Sequence, residues 1–96
     1  MRTVVFDFDN IHSYKSFYAA CINQLNLPAY FGNNLDALWD SLTTEVNMPL
    51  TIQCIHITPY HQQKFSKLFR LFADAEQELD GLFTFESETS DERDAG

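Results

Sequence analysis

"YFGNNLDALWDSLT", from Tyr30 to Thr43, sets two asparagines, two acids and the chain's only tryptophan among leucines. At 100° per residue, with Asp36 as zero, Leu38, Leu42 and Leu35 fall at about 200°, 240° and 260°. Thr43, Asp36 and Asp40 fall at about 340°, 0° and 40°, and Trp39 stands near 300°, on the border between the groups. Asn34 is a good N-cap, so the stretch predicts a helix from Asn34 to about Thr44. One face of that helix is core. The opposite face shows two carboxylates and a hydroxyl with an aromatic at its edge. Asp36 gains a few tenths of a kcal/mol from the positive helix N-terminus. Asp40, in mid-helix, has no such support, and Asp is a poor mid-helix residue. A solvated face explains any single Asp, but the aromatic beside this pair suits a binding surface, where tryptophan and tyrosine are enriched.

Outward from this helix, the rest of the chain reads as strands and helices in alternation. Val4, Val5, Phe6 and Phe8 make a short apolar strand that ends at the turn-forming "DNIHS". Ser13 caps a helix to about Gln24, with Tyr14, Phe17, Tyr18, Cys21 and Leu25 at helical spacing. Pro28 breaks the chain, and "LPAYFGNN" connects to the Asn34 helix, with Gly32 suited to a positive φ or a close approach to a partner. Pro49 opens "LTIQCIHI", apolar on both faces like a covered central strand. Pro59 precedes one long helix from about Tyr60 to Leu79, with Phe65, Leu68, Phe69, Phe72 and Leu79 on its inner stripe. Gly81 follows as a C-terminal cap, and "LFTFE" is the last strand. Strands joined by helical crossovers favour a parallel sheet, so the expected fold is α/β, a small three-stranded parallel sheet packed with helices.

Ninety-six residues make a single domain, and 45% hydrophobic content with nine Phe is enough for a core without staples. The domain is expected over 1–86, followed by an acidic, disordered tail over 87–96. Fourteen Asp and Glu against six Lys and Arg give a formal charge of −8. Four acids and one Arg in the tail contribute −3, leaving −5 on residues 1–86. That balance argues against nucleic acid as a partner, because phosphate contacts need clustered Lys and Arg. It suits a basic protein partner. Cys21 and Cys54 form no CxxC pattern and read as buried free thiols in a reducing compartment. Asp7 and Asp9 interrupt any signal-peptide stretch, and no run of eighteen apolar residues exists to span a membrane. The expected location is the cytoplasm.

Three other patterns carry weaker signals. "VVFDFDNIH" looks like the first motif of the haloacid dehalogenase phosphatases, a strand ending at Asp-x-Asp that works with Mg²⁺. Ile11 replaces the usual Thr or Val, the chain is short for that fold, and the reading adopted is a strand end with turn-forming acids. His56 and His61 make a poor metal site, since His61 lies across Pro59 and nothing local completes a tetrahedral set. A strand histidine and a helix-start histidine are expected, with no cofactor and no enzyme activity. Asp74 and Glu78 share the outer face of the long helix, with Glu76 and Asp80 nearby; the plain alternative is a solvated face with an Arg70–Asp74 pair at i, i+4.

"LNLPAYFGNNLDALWDSLT" resembles the central segment of the barstar family, intracellular inhibitors of the guanyl-specific ribonuclease barnase. The family pattern is Pro, an aromatic pair, Gly, one variable residue, then Asn-Leu-Asp-Ala-Leu-Trp-Asp, here Pro28, Tyr30-Phe31, Gly32, Asn33 and Asn34 through Asp40. A weaker resemblance covers roughly residues 2–86. It implies the parallel sheet already reached, and a monomer that plugs the active site of a basic extracellular-type ribonuclease with its second helix. It puts Tyr30, Asn34, Leu35, Asp36, Trp39, Asp40 and Thr43 on the contact surface and makes Asp74 and Glu78 its rim. Asp40 matches the carboxylate that enters the enzyme's phosphate site. Thr44-Glu45 stands where the family has Gly-Trp, so one aromatic contact is absent or replaced by charge. That departure leaves a second reading, a module of the same fold whose partner is not a ribonuclease.

Overall fold

Each of the first two apolar strand runs is followed by helical sequence, so consecutive strands are joined by crossovers, and they pair in parallel. The computed structural model describes residues 2–28 and 31–89. Its elements are β1 (Arg2–Asp7), a 3₁₀ turn (Phe8–Asn10), α1 (Tyr14–Leu25), α2 (Leu35–Thr44), β2 (Leu50–Ile57), α3 (Pro59–Lys64), α4 (Ser66–Glu78) and β3 (Phe83–Thr89). The sheet order is β1-β2-β3, with both pairs parallel. This is the expected three-stranded α/β fold.

Right-handed crossovers between strands in sequential order carry both helix pairs over the same face of the sheet. The register agrees. Val4, Ile52 and Phe85 lie side by side, as do Phe6 and Cys54, and this face meets α1 through the Phe6–Phe17 ring pair and α4 through Phe72–Phe83. The alternate rungs, Thr3–Thr51–Thr84 and Val5–Gln53–Glu86, form the outer face. There Gln53 Nε2 donates to Glu86 Oε1 at 2.9 Å, and Thr3, Val5 and Glu86 are exposed. β2 is the central strand, as expected, and none of its residues is exposed, but its outer side is not wholly apolar: Thr51 is buried there, and Gln53 and Ile55 are half-buried.

The core is a slab of aromatic rings. Phe17 of α1 lies 5.2 Å from Phe6, 6.4 Å from Phe8 and 6.2 Å from Phe72 between ring centroids. Phe8 adds Phe65 at 5.3 Å and Phe69 at 5.6 Å. Most of these rings meet tilted or edge-on, an arrangement that adds about 0.5–1.5 kcal/mol per pair beyond area burial.

Three local expectations change for tertiary reasons. Phe8 belongs to the 3₁₀ turn, because Asp7 Oδ1 accepts the Asp9 N–H at 2.9 Å and ends the strand. The long helix is two: Phe65, at φ −106° and ψ 25°, separates α3 from α4. No helix breaker is present in "HQQKFSKL". Phe65 is fully buried against Phe8 and Tyr14, and that packing overrides the helical preference of its neighbours. β3 runs to Thr89, so Ser87 and Thr89, expected in the tail, pair with Cys54 and Ile57 of β2 through backbone that no side-chain pattern reports. The remaining tail, 90–96, lies outside the described residues. Elsewhere the local signals hold: Ser13 caps α1, and Gly81 takes φ +88° in the turn after α4.

Both cysteines are free and buried. Burial pushes the Cys54 thiol up to about 12 and raises Cys21 as well, so neither is a thiolate at neutral pH. Ellman's reagent at pH 8 is expected to react with the native protein only as fast as it opens, and with both thiols at once in denaturant. Phe17→Ala is expected to lower unfolding free energy by about 3–5 kcal/mol in urea titration, since it removes the ring shared by β1, the 3₁₀ turn and α4.

Candidate functional site

The helix that carries the candidate face is started by one side chain. Asn34 Oδ1 accepts the Ala37 N–H at 2.7 Å, and Asn34 Nδ2 donates to the Gly32 carbonyl at 3.1 Å, so the cap also ties down the preceding loop. A Cβ on Gly32 would sit 3.3 Å from the Ala37 Cβ, tighter than ordinary contact. The close approach at Gly32 is thus made to the chain's own helix. The positive φ expected there falls on Asn33, at +52°.

Leu38 and Leu42 are closed off from water, at 0% and 1% exposure, and Ser41 is buried beside them. Leu35 and Trp39 are half-buried and pack on the edge of the core. Asp36 and Asp40 are exposed. Among the described residues neither carboxylate has an ion-pair or hydrogen-bond partner; the ion pairs found are those of His56 with Asp7 and Asp9. Thr43 is half-buried and its hydroxyl donates to the Trp39 carbonyl at 2.9 Å. Thr44 Oγ1 donates to the Asp40 carbonyl at 2.6 Å, and Glu45 closes the helix, exposed. Tyr30 lies outside the described residues.

α2 packs against α4. Asp74 and Glu78 are exposed on α4, and Arg70 forms no ion pair with Asp74 among the described residues. Glu76 is different from its neighbours: half-buried, it accepts the Phe85 N–H of β3 at 3.2 Å and is a structural brace.

A second cluster, not assembled by sequence reasoning, sits at the carboxyl ends of β1 and β2. His56 Nδ1 is 2.7 Å from Asp7 Oδ1 and 3.2 Å from Asp9 Oδ2. The hydrogen bond to Asp7 raises the His56 pKa, and the same bond lowers that of Asp7. His61 stays out of the cluster: its Nδ1 accepts the Thr58 N–H at 3.0 Å, completing a capping box at the start of α3, and burial lowers its pKa. The signal for the cluster was present in Asp7-x-Asp9, but His56 is 49 residues from Asp7 and joins it only through strand register.

The family model described as "Barstar (barnase inhibitor)" matches residues 1–92. A protein of Bacillus subtilis (strain 168) named "Putative ribonuclease inhibitor YrdF" is 38% identical over 52 residues, covering 54% of this chain and 57% of that protein. The chain therefore matches a little over half the length of this relative.

The energetics of α2 separate its residues by sign. Asn34→Ala is expected to destabilise the fold by about 1 kcal/mol through loss of the cap. Asp40→Ala is expected to stabilise it by a few tenths of a kcal/mol, because an unpaired mid-helix Asp is replaced by the best helix former. Urea titrations of the two variants read both signs directly.

Proposed function

The chain belongs to the barstar family, and from that premise we propose that it is a cytoplasmic, monomeric inhibitor that blocks the active site of a basic, extracellular-type ribonuclease. The observation that carries this reading is the pair of exposed carboxylates, Asp36 and Asp40, on the side of α2 away from its buried leucines, with no cation of the described chain beside them. A ribonuclease holds RNA phosphate with Arg, Lys and His, and a carboxylate can occupy such a site through charge-assisted hydrogen bonds. Asp40 is the phosphate mimic. Asp36 adds a second anion one helical turn away, and Trp39 and Tyr30 supply aromatic contact area. Asn34, Leu35 and Thr43 complete the contact surface, and Asp74 and Glu78 form an acidic rim on the neighbouring helix. The inhibitor acts by occupancy and performs no chemistry of its own. Glu45, exposed where the family carries Trp, adjusts which nuclease is accepted.

The test is residual RNA cleavage by candidate ribonucleases mixed with the chain. Asp40→Ala is expected to weaken inhibition by about 30- to 4,000-fold, the equivalent of about 2–5 kcal/mol for truncating one member of a desolvated charge pair. That range is informed by the barnase–barstar complex itself and is borrowed from it. Glu88→Gln, an exposed acid on β3, is expected to inhibit like the parent chain. Association is expected to slow as salt rises, because exposed charges are screened within about 8 Å at physiological ionic strength. Inhibition untouched by Asp40→Ala contradicts the reading, and an association rate independent of salt contradicts electrostatic steering.

A further inference from the structure

We propose that Asp7, Asp9 and His56 form a binding site for a divalent transition-metal ion of the Zn²⁺ class, separate from the inhibitory face. One imidazole nitrogen and one oxygen from each carboxylate lie within 4.8 Å of one another. They come from three backbone positions that the fold holds in fixed relation. Asp7 ends β1, paired with Ile55 of β2. Asp9 lies in the 3₁₀ turn that Asp7 caps. His56 is the next residue after Ile55. The cluster thus sits at the carboxyl ends of adjacent parallel strands, the end at which open α/β sheets bind their ligands.

The backbone at His56 departs from the regular strand. Period-two alternation would send His56 to the face of Ile52 and Cys54, away from Asp7. Instead its φ is +60°, the β2–β3 register shifts between Cys54 and Ile57, and the ring meets both acids. A non-glycine residue at positive φ is uncommon.

The donor set selects the ion. Two carboxylates and one imidazole leave a fourth position for water, a pattern suited to zinc. Calcium takes six to eight oxygens, and magnesium prefers oxygen ligands and retained water, so the imidazole disfavours both. Ligands about 2.0–2.1 Å from a tetrahedral ion are roughly 3.3 Å apart. The His56 Nδ1 to Asp9 Oδ2 separation of 3.2 Å is close to that value, and the shorter 2.7 Å contact to Asp7 opens as the ion replaces the proton between them. The side chains are 36–65% exposed, so the ion can enter without unfolding anything.

The competing account is an ion pair that pins the turn to β2 and binds nothing. Isothermal titration of the full chain with ZnCl₂, in a buffer that does not coordinate zinc, separates the two. The expected result is one saturable site, a rise in melting temperature with Zn²⁺, and no rise with equal Mg²⁺ or Ca²⁺. His56→Ala and the isosteric Asp9→Asn are each expected to weaken binding at least about tenfold, the lower bound for removing even an outer-shell partner. Histidine ring resonances of the unmodified chain provide a readout independent of variant folding: Zn²⁺ is expected to move those of His56 and leave His12 and His61 in place. Absence of saturable binding, parent-like affinity in both variants, or shifts that spare His56 would overturn the proposal.

Discussion

The burial of Leu38 and Leu42 decides where Asp36 and Asp40 point. Asp36 lies about 160° around the helix from Leu38, as does Asp40, so neither acid can turn inward unless the leucines turn out. Sealing each leucine from water contributes about 1.5–3 kcal/mol, which makes that rotation prohibitive. The seat for the leucines is in turn built by the aromatic slab: α4 packs beside α2, and α4 is held to β3 and α1 by Phe72. Packing of the core thereby fixes which side of α2 faces outward.

That surface is a poor investment for the folded chain alone. Asp36 and Asp40 are like charges at i, i+4, a spacing that destabilises a helix by about 0.2–0.5 kcal/mol. No lysine or arginine among the described residues relieves them. The chain has acids to spare elsewhere, and there they find work: Glu76 braces β3, Glu86 bonds Gln53, and Asp7 caps a turn. On α2 the carboxylates have no such partner among the described residues. A cationic pocket would remove the repulsion between them and gain two charge-assisted contacts in one step. Helix and pocket would then be complementary in charge before they touch, which favours fast association.

Much of what is legible in the sequence is local. Asn34, Ser13 and Gly81 act on neighbours within a few residues, so their roles as caps and turn former were visible before any fold was known. The parallel sheet followed from the alternation of strand and helix patterns. The break at Phe65 was invisible because nothing in its own segment causes it; rings from β1's turn and α1 draw it into the core. The shift of positive φ from Gly32 to Asn33 was hidden for the opposite reason, since either residue type tolerates it. The polar outer face of β2 depends on which side the crossovers take. His56 reaches Asp7 only after register and a backbone irregularity are both in place. On α2 the division into buried leucines and exposed acids was legible from spacing alone, because 3.6-residue periodicity is itself a local property.

Imitation of a phosphate by Asp40 predicts a specific energetic coupling. A double-mutant cycle between Asp40→Asn and neutralisation of an active-site cation of the inhibited ribonuclease measures it, with the pair's interaction isolated from either single change. A coupling energy above about 1.5 kcal/mol is the result expected for a close charge pair. Additive effects at every active-site cation would show that the acidic face of α2 does not enter the phosphate site.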